Sequence, residues 1–282
     1  MTENLAHDTH CQMLIDQFDH DRYLTCLYAP EQIRQNLFAL YSFNYEISRI
    51  REMVSEPMIG EIRLQWWRDA LTDITQGGPI RNHDVIGPLA TAIAAHNLSE
   101  GILMSIIDGR GQDLYDESPV TSTDLESYLA QTSGNLSCLA VHIAGQNDID
   151  ELAQSLGMAW GYVGLIRSVP YHMSLKKNYI PQDLMEKNGH QGQAFLSPDD
   201  PENVAAIIRQ LSDKAMTHLE NIKQQKHRIK AEARSIFLLS ALARSYLKTI
   251  ERANYNPFQL HEKKDAFFRQ CRLLSAALFN RI

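Results

Sequence analysis

Two sets of residues have the types and spacing to shape a site. Tyr41, Tyr45, Ser48 and Glu52 recur at offsets of four, three and four, with Asn44 beside them. On an α-helix such spacing lines one face, because residues three and four apart are neighbours. That face would present hydroxyls, an amide and one carboxylate. Gly157, Gly161, Gly164 and Ser168 form a second stripe by the same arithmetic. Small residues in such a row mean either close approach of another backbone or one wall of an open cavity. Each glycine costs about 1 kcal/mol against alanine in a helix, so the stripe has a reason to exist. His172 could serve as a ligand or base, or cap polar groups beside Pro170.

Helices must position these residues, since helical periodicity dominates and no run of strict alternation stands out. Pro30 opens a segment reaching about Val54, and Pro57 starts a second that ends at Gly77-Gly78-Pro79. Further helices are expected from Val85 to Ala95 and from Ser99 to Tyr115. Thr123 with Glu126 suggests a capping box for a helix to about Gly145. The glycine stripe lies on a helix from Ile149 to Val169, stopped by Pro170. Tyr171 to Ser197 reads as irregular, punctuated by Pro181, Gly189 and Gly192. Asp200-Pro201 is an N-cap and first-turn signature for a helix to about Gln225. Helices over Ala231–Ala253 and Phe258–Asn280 complete an all-α chain. No linker has the composition of a domain boundary, so a single domain over residues 21–282 is expected, preceded by a frayed segment, 1–20.

Composition narrows the function classes. With 44% hydrophobic and 22% charged residues, the 282-residue chain has the balance of a globular protein with a sizeable core. A formal charge of −7 argues against a general nucleic-acid binder, which needs a basic face. Four dispersed cysteines, with no CxxC pair, fit a reducing compartment and give neither a disulfide framework nor a zinc site. The acidic start of the chain has neither a secretory core nor the character of a presequence, and no apolar stretch is long enough to span a bilayer. The expectation is a cytoplasmic protein that could touch the inner membrane peripherally. His7, His10 and Cys11 could bind a metal but fall in the tail expected to fray. Trp66-Trp67 reads as half core and half surface. Lys223, Lys226, His227, Arg228 and Lys230 make a basic patch, either a solvated helix end or a contact for anionic headgroups or an acidic partner. There is no GxSxG elbow, P-loop or dinucleotide fingerprint.

Several strings in order resemble the squalene/phytoene synthases. They are Leu40-Tyr41-Ser42-Phe43-Asn44, Ile62 to Ala70, Gly157-x-Ala159 through Ile166-Arg167, and Tyr179-Ile180-Pro181. Asp113-Leu114, Tyr128 and Gly134 also fall at matching places, so the resemblance runs from about Asp21 to the C-terminus. It implies an isoprenoid-synthase-like helical bundle around a central cavity. It also implies a family activity: head-to-head joining of prenyl diphosphates with Mg²⁺ held by two aspartate-rich motifs on facing helices. The chemistry requires it, because a diphosphate entering a low-dielectric cavity needs its charge compensated as it leaves.

This sequence departs from the pattern at both motifs. Ser48 and Glu52 stand at the two acidic positions of the first, flanked by Arg49 and Arg51. The second reads Arg167-Ser168-Val169-Pro170-Tyr171-His172, with both aspartates replaced, and Gly164 stands where the family has asparagine. Of four expected carboxylates only Glu52 remains. Glu46, Glu56, Asp69 and Asp113 are candidates for relocated acids, and Asp113 matches an acid common in the family. The string Arg-x-x-Pro-Tyr-His, with Ser55-Glu56-Pro57-Met58-Ile59-Gly60, resembles a divergent branch of the family that serves in assembly of respiratory complex I. The resemblance implies a degenerate synthase without metal or other cofactor, acting with complex I subunits or assembly intermediates. Its cavity would be open to a lipid or isoprenoid. The alternative is a divergent prenyltransferase that still uses Mg²⁺.

Overall fold

The computed structural model describes residues 2–189, 196–260 and 266–279, and among them every regular element is helical. The α-helices are α1 (Thr2–Phe18), α2 (His20–Cys26), α3 (Glu31–Ser48), α4 (Ile50–Met53), α5 (Pro57–Thr75), α6 (Ile86–His96) and α7 (Glu100–Gly111). They continue with α8 (Ser122–Leu129), α9 (Asn135–Ile143), α10 (Asp150–Arg167), α11 (Val169–Ser174) and α12 (Gln182–Lys187). The last three are α13 (Pro201–Gln225), α14 (Arg234–Arg252) and α15 (Ala266–Leu278). No helix among the described residues is long and apolar enough to cross a membrane.

Apolar spacing dictates the layering. On α13, Val204, Ile207, Ile208, Leu211, Ala215, Leu219 and Ile222 are buried at three- and four-residue intervals, making one stripe that packs on α10. The α14 helix does the same with Ile236, Leu239, Ala243, Leu247 and Ile250. The α10 helix is buried on nearly all sides, with α9, α13 and α14 around it, which makes it the central staff of the bundle. Asp200 caps α13 as its type predicts, its side chain accepting from the Asn203 amide at 3.4 Å, with Pro201 in the first turn.

Three expectations need correction. Of the segment expected to fray, the described residues 2–20 are largely helical: α1 runs to Phe18, and Cys11, Leu14 and Ile15 are buried in the core, so apolar burial against α3 outweighs the polar composition. The capping box is built from Thr121 and Asp124, two residues before the expected pair. The Asp124 carboxylate accepts from the Thr121 amide at 2.8 Å, and the Thr121 hydroxyl accepts from the Asp124 amide at 3.2 Å. The helix it starts runs into a π-helical turn at Ala130–Gly134 before continuing as α9. The stretch 171–197 holds most of α11 and all of α12 as well as loops; Gly192 lies outside the described residues.

Candidate functional site

Both stripes singled out by spacing meet at one cavity of about 870 Å³. Its walls are the end of α3, α4, the π-turn, the C-terminal half of α10, α11 and the strap at Lys177–Tyr179. Leu129, Leu136, Leu165, Val54 and Trp160 make much of the lining apolar. Asn44, Tyr45, Ser48, Glu52, Asp113, Gly161, Gly164, Ser168 and His172 all line it. Two expected residues do not. Tyr41 is buried in the core, with the Arg22 guanidinium 5.4 Å from its ring centre. Arg167 lies instead over the Tyr246 ring, 3.8 Å from its centre and 3.8 Å from Asp21. Tyr246 donates to Asp21 at 2.7 Å and Arg269 to the same carboxylate at 3.3 Å, so this cluster joins α2, α10, α14 and α15.

The helices carrying the two motif positions break at the same relative place. The α3 helix ends at Ser48, whose hydroxyl bonds back to the Tyr45 carbonyl at 2.9 Å, a contact that competes with the helical ladder. Glu52 therefore sits on the separate turn α4 rather than on one long helix to Val54. The α10 helix ends at Arg167, because Pro170 has no amide to donate and constrains the residue before it. The chain resumes as α11, which carries Tyr171 and His172.

Across the gap between these turns, the Tyr171 hydroxyl donates to the Glu52 carboxylate at 2.7 Å. The other carboxylate on the wall, Asp113, accepts from Tyr128 at 2.9 Å and Tyr179 at 2.7 Å, and pairs with Arg110 at 3.2 Å. Arg110 also donates to the Tyr128 oxygen at 2.8 Å. Burial pushes both phenols above their ordinary range, so they act here as donors. His172 packs its ring 4.7 Å from that of Tyr179. Burial drives its imidazole down to about 4, against a smaller opposing pull from Asp113. Lys177 is lowered by burial too, and its ammonium donates to the Tyr115 carbonyl.

The glycine stripe serves both purposes offered by its spacing. A Cβ on Gly157 would fall on the Ser133 carbonyl and the Gly134 Cα, so that end exists for close packing against the π-turn. A Cβ on Gly164 would meet nothing within 4 Å, so that end faces open space. Arg22, Arg110, Ser133, Trp160 and Lys177 were not singled out by sequence. Arg110, three residues before Asp113 on a helical register, was the readable one.

The other signals resolve into local structure. His7 pairs with Asp84 at 3.0 Å. Trp67 is buried and meets Phe43 edge-on at 5.5 Å, while Trp66 is partly exposed beneath the Arg81 guanidinium. Arg228 pairs with Glu151, and Lys223 with Glu220 at 3.4 Å.

The family model for squalene/phytoene synthases matches residues 15–272. The chain belongs to the squalene/phytoene synthase family. Assembly factor 6 of NADH dehydrogenase (ubiquinone) complex I from Homo sapiens is 31% identical over 253 residues, covering 89% of this chain and 76% of that protein. A presqualene diphosphate synthase of Rhodopseudomonas palustris is 24% identical over 200 residues, covering 67% of this chain and 68% of the relative. In fold, a dehydrosqualene synthase crystallised with a ligand superposes with a TM-score of 0.84 at 17% identity, covering 99% of this chain and 98% of the other.

Proposed function

We propose that this chain is a non-catalytic member of its family, an assembly or accessory factor for respiratory complex I that keeps the family's cavity to hold a lipid or isoprenoid tail. The observation that carries the reading is the Tyr171–Glu52 hydrogen bond. A residue of the string that stands in place of the second acidic motif occupies the one carboxylate left in the first. Mg²⁺ demands near-octahedral oxygen ligation and is ordinarily held by carboxylates, water and phosphate together. The wall offers Glu52, already bonded, and Asp113, which takes two tyrosine hydroxyls and an arginine. Ser48, Ser168 and His172 fill the remaining motif positions. These residues do not fit the family's metal cluster, and no step is drawn through one.

The likeness to assembly factor 6 supports the complex I assignment, with complex I subunits or assembly intermediates as partners. The protein works on the cytoplasmic side, peripheral to the inner membrane. Deleting the gene should lower NADH-driven respiration and the amount of intact complex I; a strain with both unchanged would overturn the assembly role. Purified protein given farnesyl or geranylgeranyl diphosphate with Mg²⁺ should release no diphosphate. Sustained Mg²⁺-dependent release would restore the prenyltransferase alternative.

A further inference from the structure

Four cations, Arg22, Arg51, Arg110 and Lys177, line the cavity, against two carboxylates, Glu52 and Asp113. The surplus is positive, and where it sits decides what it can do. Arg110 is held by Asp113 at 3.2 Å and Arg22 by Asp19 at 2.6 Å, both pairs largely out of water. Breaking a buried pair strands a charge at a cost of about 3–5 kcal/mol, so neither arginine is free for a ligand.

Arg51 and Lys177 are placed differently. Arg51 pairs with Asp116 at 3.0 Å, but the aspartate side chain is 69% exposed and the arginine 35%. A pair of that kind is worth about 0–1 kcal/mol, so Arg51 can exchange Asp116 for another anion at little cost. Lys177 is buried, its ammonium held by the Tyr115 carbonyl and 5.2 Å from the Tyr179 ring centre. Among the described residues no carboxylate pairs with it directly, and Asp113 and Asp116 act on it from farther off. The carbonyl takes one of three ammonium donors, and burial weakens the hold on the proton, as it does for a cation short of counter-charge.

The two cations meet at one edge. Their partners, Tyr115 and Asp116, are consecutive, and both side chains line the cavity along with the half-exposed Tyr171 and Leu175, where it opens to water. Glu52, beside Arg51, is already taken by the Tyr171 hydroxyl at 2.7 Å. Away from this mouth, Leu129, Leu136 and Trp160 are buried and give the lining an apolar surface.

We infer that the cavity takes an amphiphile with a single phosphate as its head, bound without a metal ion by Arg51 and Lys177 at the mouth, its apolar chain running inward. The inference rests on the ligand-holding part of the proposed function and names the head. A phosphate monoester carries about −1.5 to −2 charge at neutral pH, which two cations match; a diphosphate brings more than they offset. The Arg51 guanidinium can take two phosphate oxygens at once, and Lys177 adds a point charge. Isoprenyl monophosphates and phosphatidic acid share this head.

Equilibrium dialysis of the full-length protein with labelled geranylgeranyl monophosphate, in EDTA, tests the inference. The monophosphate should bind about tenfold or more tighter than geranylgeraniol, the worth of charge-assisted hydrogen bonds, and added Mg²⁺ should not tighten it. Lys177→Met should remove about tenfold of the monophosphate affinity and leave the alcohol unchanged. Arg51→Gln, on the surface, should cost roughly threefold or more and decides the matter if Lys177→Met fails to fold. Displacement of the label by short-chain phosphatidic acid would support the head with a phospholipid as its source; displacement by unlabelled monophosphate alone would support it with an isoprenoid source. Equal affinity for alcohol and monophosphate, or parental monophosphate affinity in the variants, would overturn the inference and leave the ligand-holding reading standing. So would tighter binding of geranylgeranyl diphosphate than of the monophosphate in EDTA. Diphosphate bound only with Mg²⁺ and then released as product would overturn the non-catalytic reading as well. Binding of none of these compounds would overturn the inference together with the ligand-holding reading, while complex I assembly rests on the genetic test.

Discussion

The cavity has two unlike sides. On the locked side, Arg110, Asp113, Tyr128 and Tyr179 satisfy one another, and Gly157 lets α10 press onto the π-turn at Ser133–Gly134. On the open side, Ser48, Gly164 and Ser168 border space. The same helix, α10, serves both, its N-terminal half for packing and its C-terminal half for the cavity. The difference teaches that small residues at helical spacing carry no fixed meaning. What lies across from each decides whether it is a packing contact or a wall.

The sharpest way to break this contrast is to cut the locked side. Asp113→Ala strands the Arg110 guanidinium, and loss of one partner from such a buried pair costs about 3–5 kcal/mol. Differential scanning calorimetry should show a Tm lower by roughly 10 °C, given about 2–4 °C per kcal/mol at this chain size. Ser168→Ala on the open side should stay within about 0.5 kcal/mol of the parent. Equal losses from the two variants would erase the distinction. Gly157→Ala comes next: its methyl meets backbone that cannot swing aside, and overpacking of that kind costs about 1–3 kcal/mol. A denaturant midpoint unchanged in Gly157→Ala would mean that the π-turn yields.

Much of this was legible in the sequence, and the misses share causes. The all-helical fold and the N-cap at Asp200 follow from local spacing, which a helix turns directly into geometry; that the Ser48 and Gly164 stripes face one cavity is what the family resemblance implied and spacing could not give. Tyr41 was placed on the wall by the same arithmetic yet lies in the core, because spacing gives a shared face but not its angular limits. The break after Ser48 depends on a side chain bonding its own backbone, and serine does this in some helices and not in others. The Tyr171–Glu52 bond joins residues 119 apart, so only the fold could reveal it. Arg167 looked like a cavity residue because its neighbours are. Its real partners, Tyr246 and Asp21, lie on helices far away in sequence.

His172 stands between the two sides, against Tyr179 and within the cavity wall, and offers a pH readout. Its ordinary value of 6.5 falls to about 4 in the folded chain, chiefly through burial, with Asp113 and Glu52 pulling up and Lys177 pushing down. Between those values the unfolded chain binds more protons than the folded one. Its contribution is therefore complete above about pH 6.5 and is lost as the pH falls toward 4. After discounting for a partly exposed ring, the amount is about 1–2 kcal/mol. Urea titrations of the parent and His172→Gln at pH 7 and pH 4.5 should show a smaller pH-dependent loss in the variant. Identical losses would place the acid sensitivity elsewhere.

The smallest effect is the most discriminating. Gly164 sits inside α10, where glycine is poorer than alanine by about 1 kcal/mol, and a methyl there meets only space. Gly164→Ala should therefore raise stability by up to about 1 kcal/mol, the opposite sign from Gly157→Ala seven residues earlier on the same face. Propensity cannot tell the two glycines apart, so a sign difference isolates what each one faces. If Gly164→Ala stabilises the protein while weakening the binding of an isoprenoid such as geranylgeraniol, the residue is kept small for an occupant of the cavity. If it stabilises and leaves that binding unaffected, the tail runs elsewhere along the wall, and the open side owes its shape to the motif residues alone.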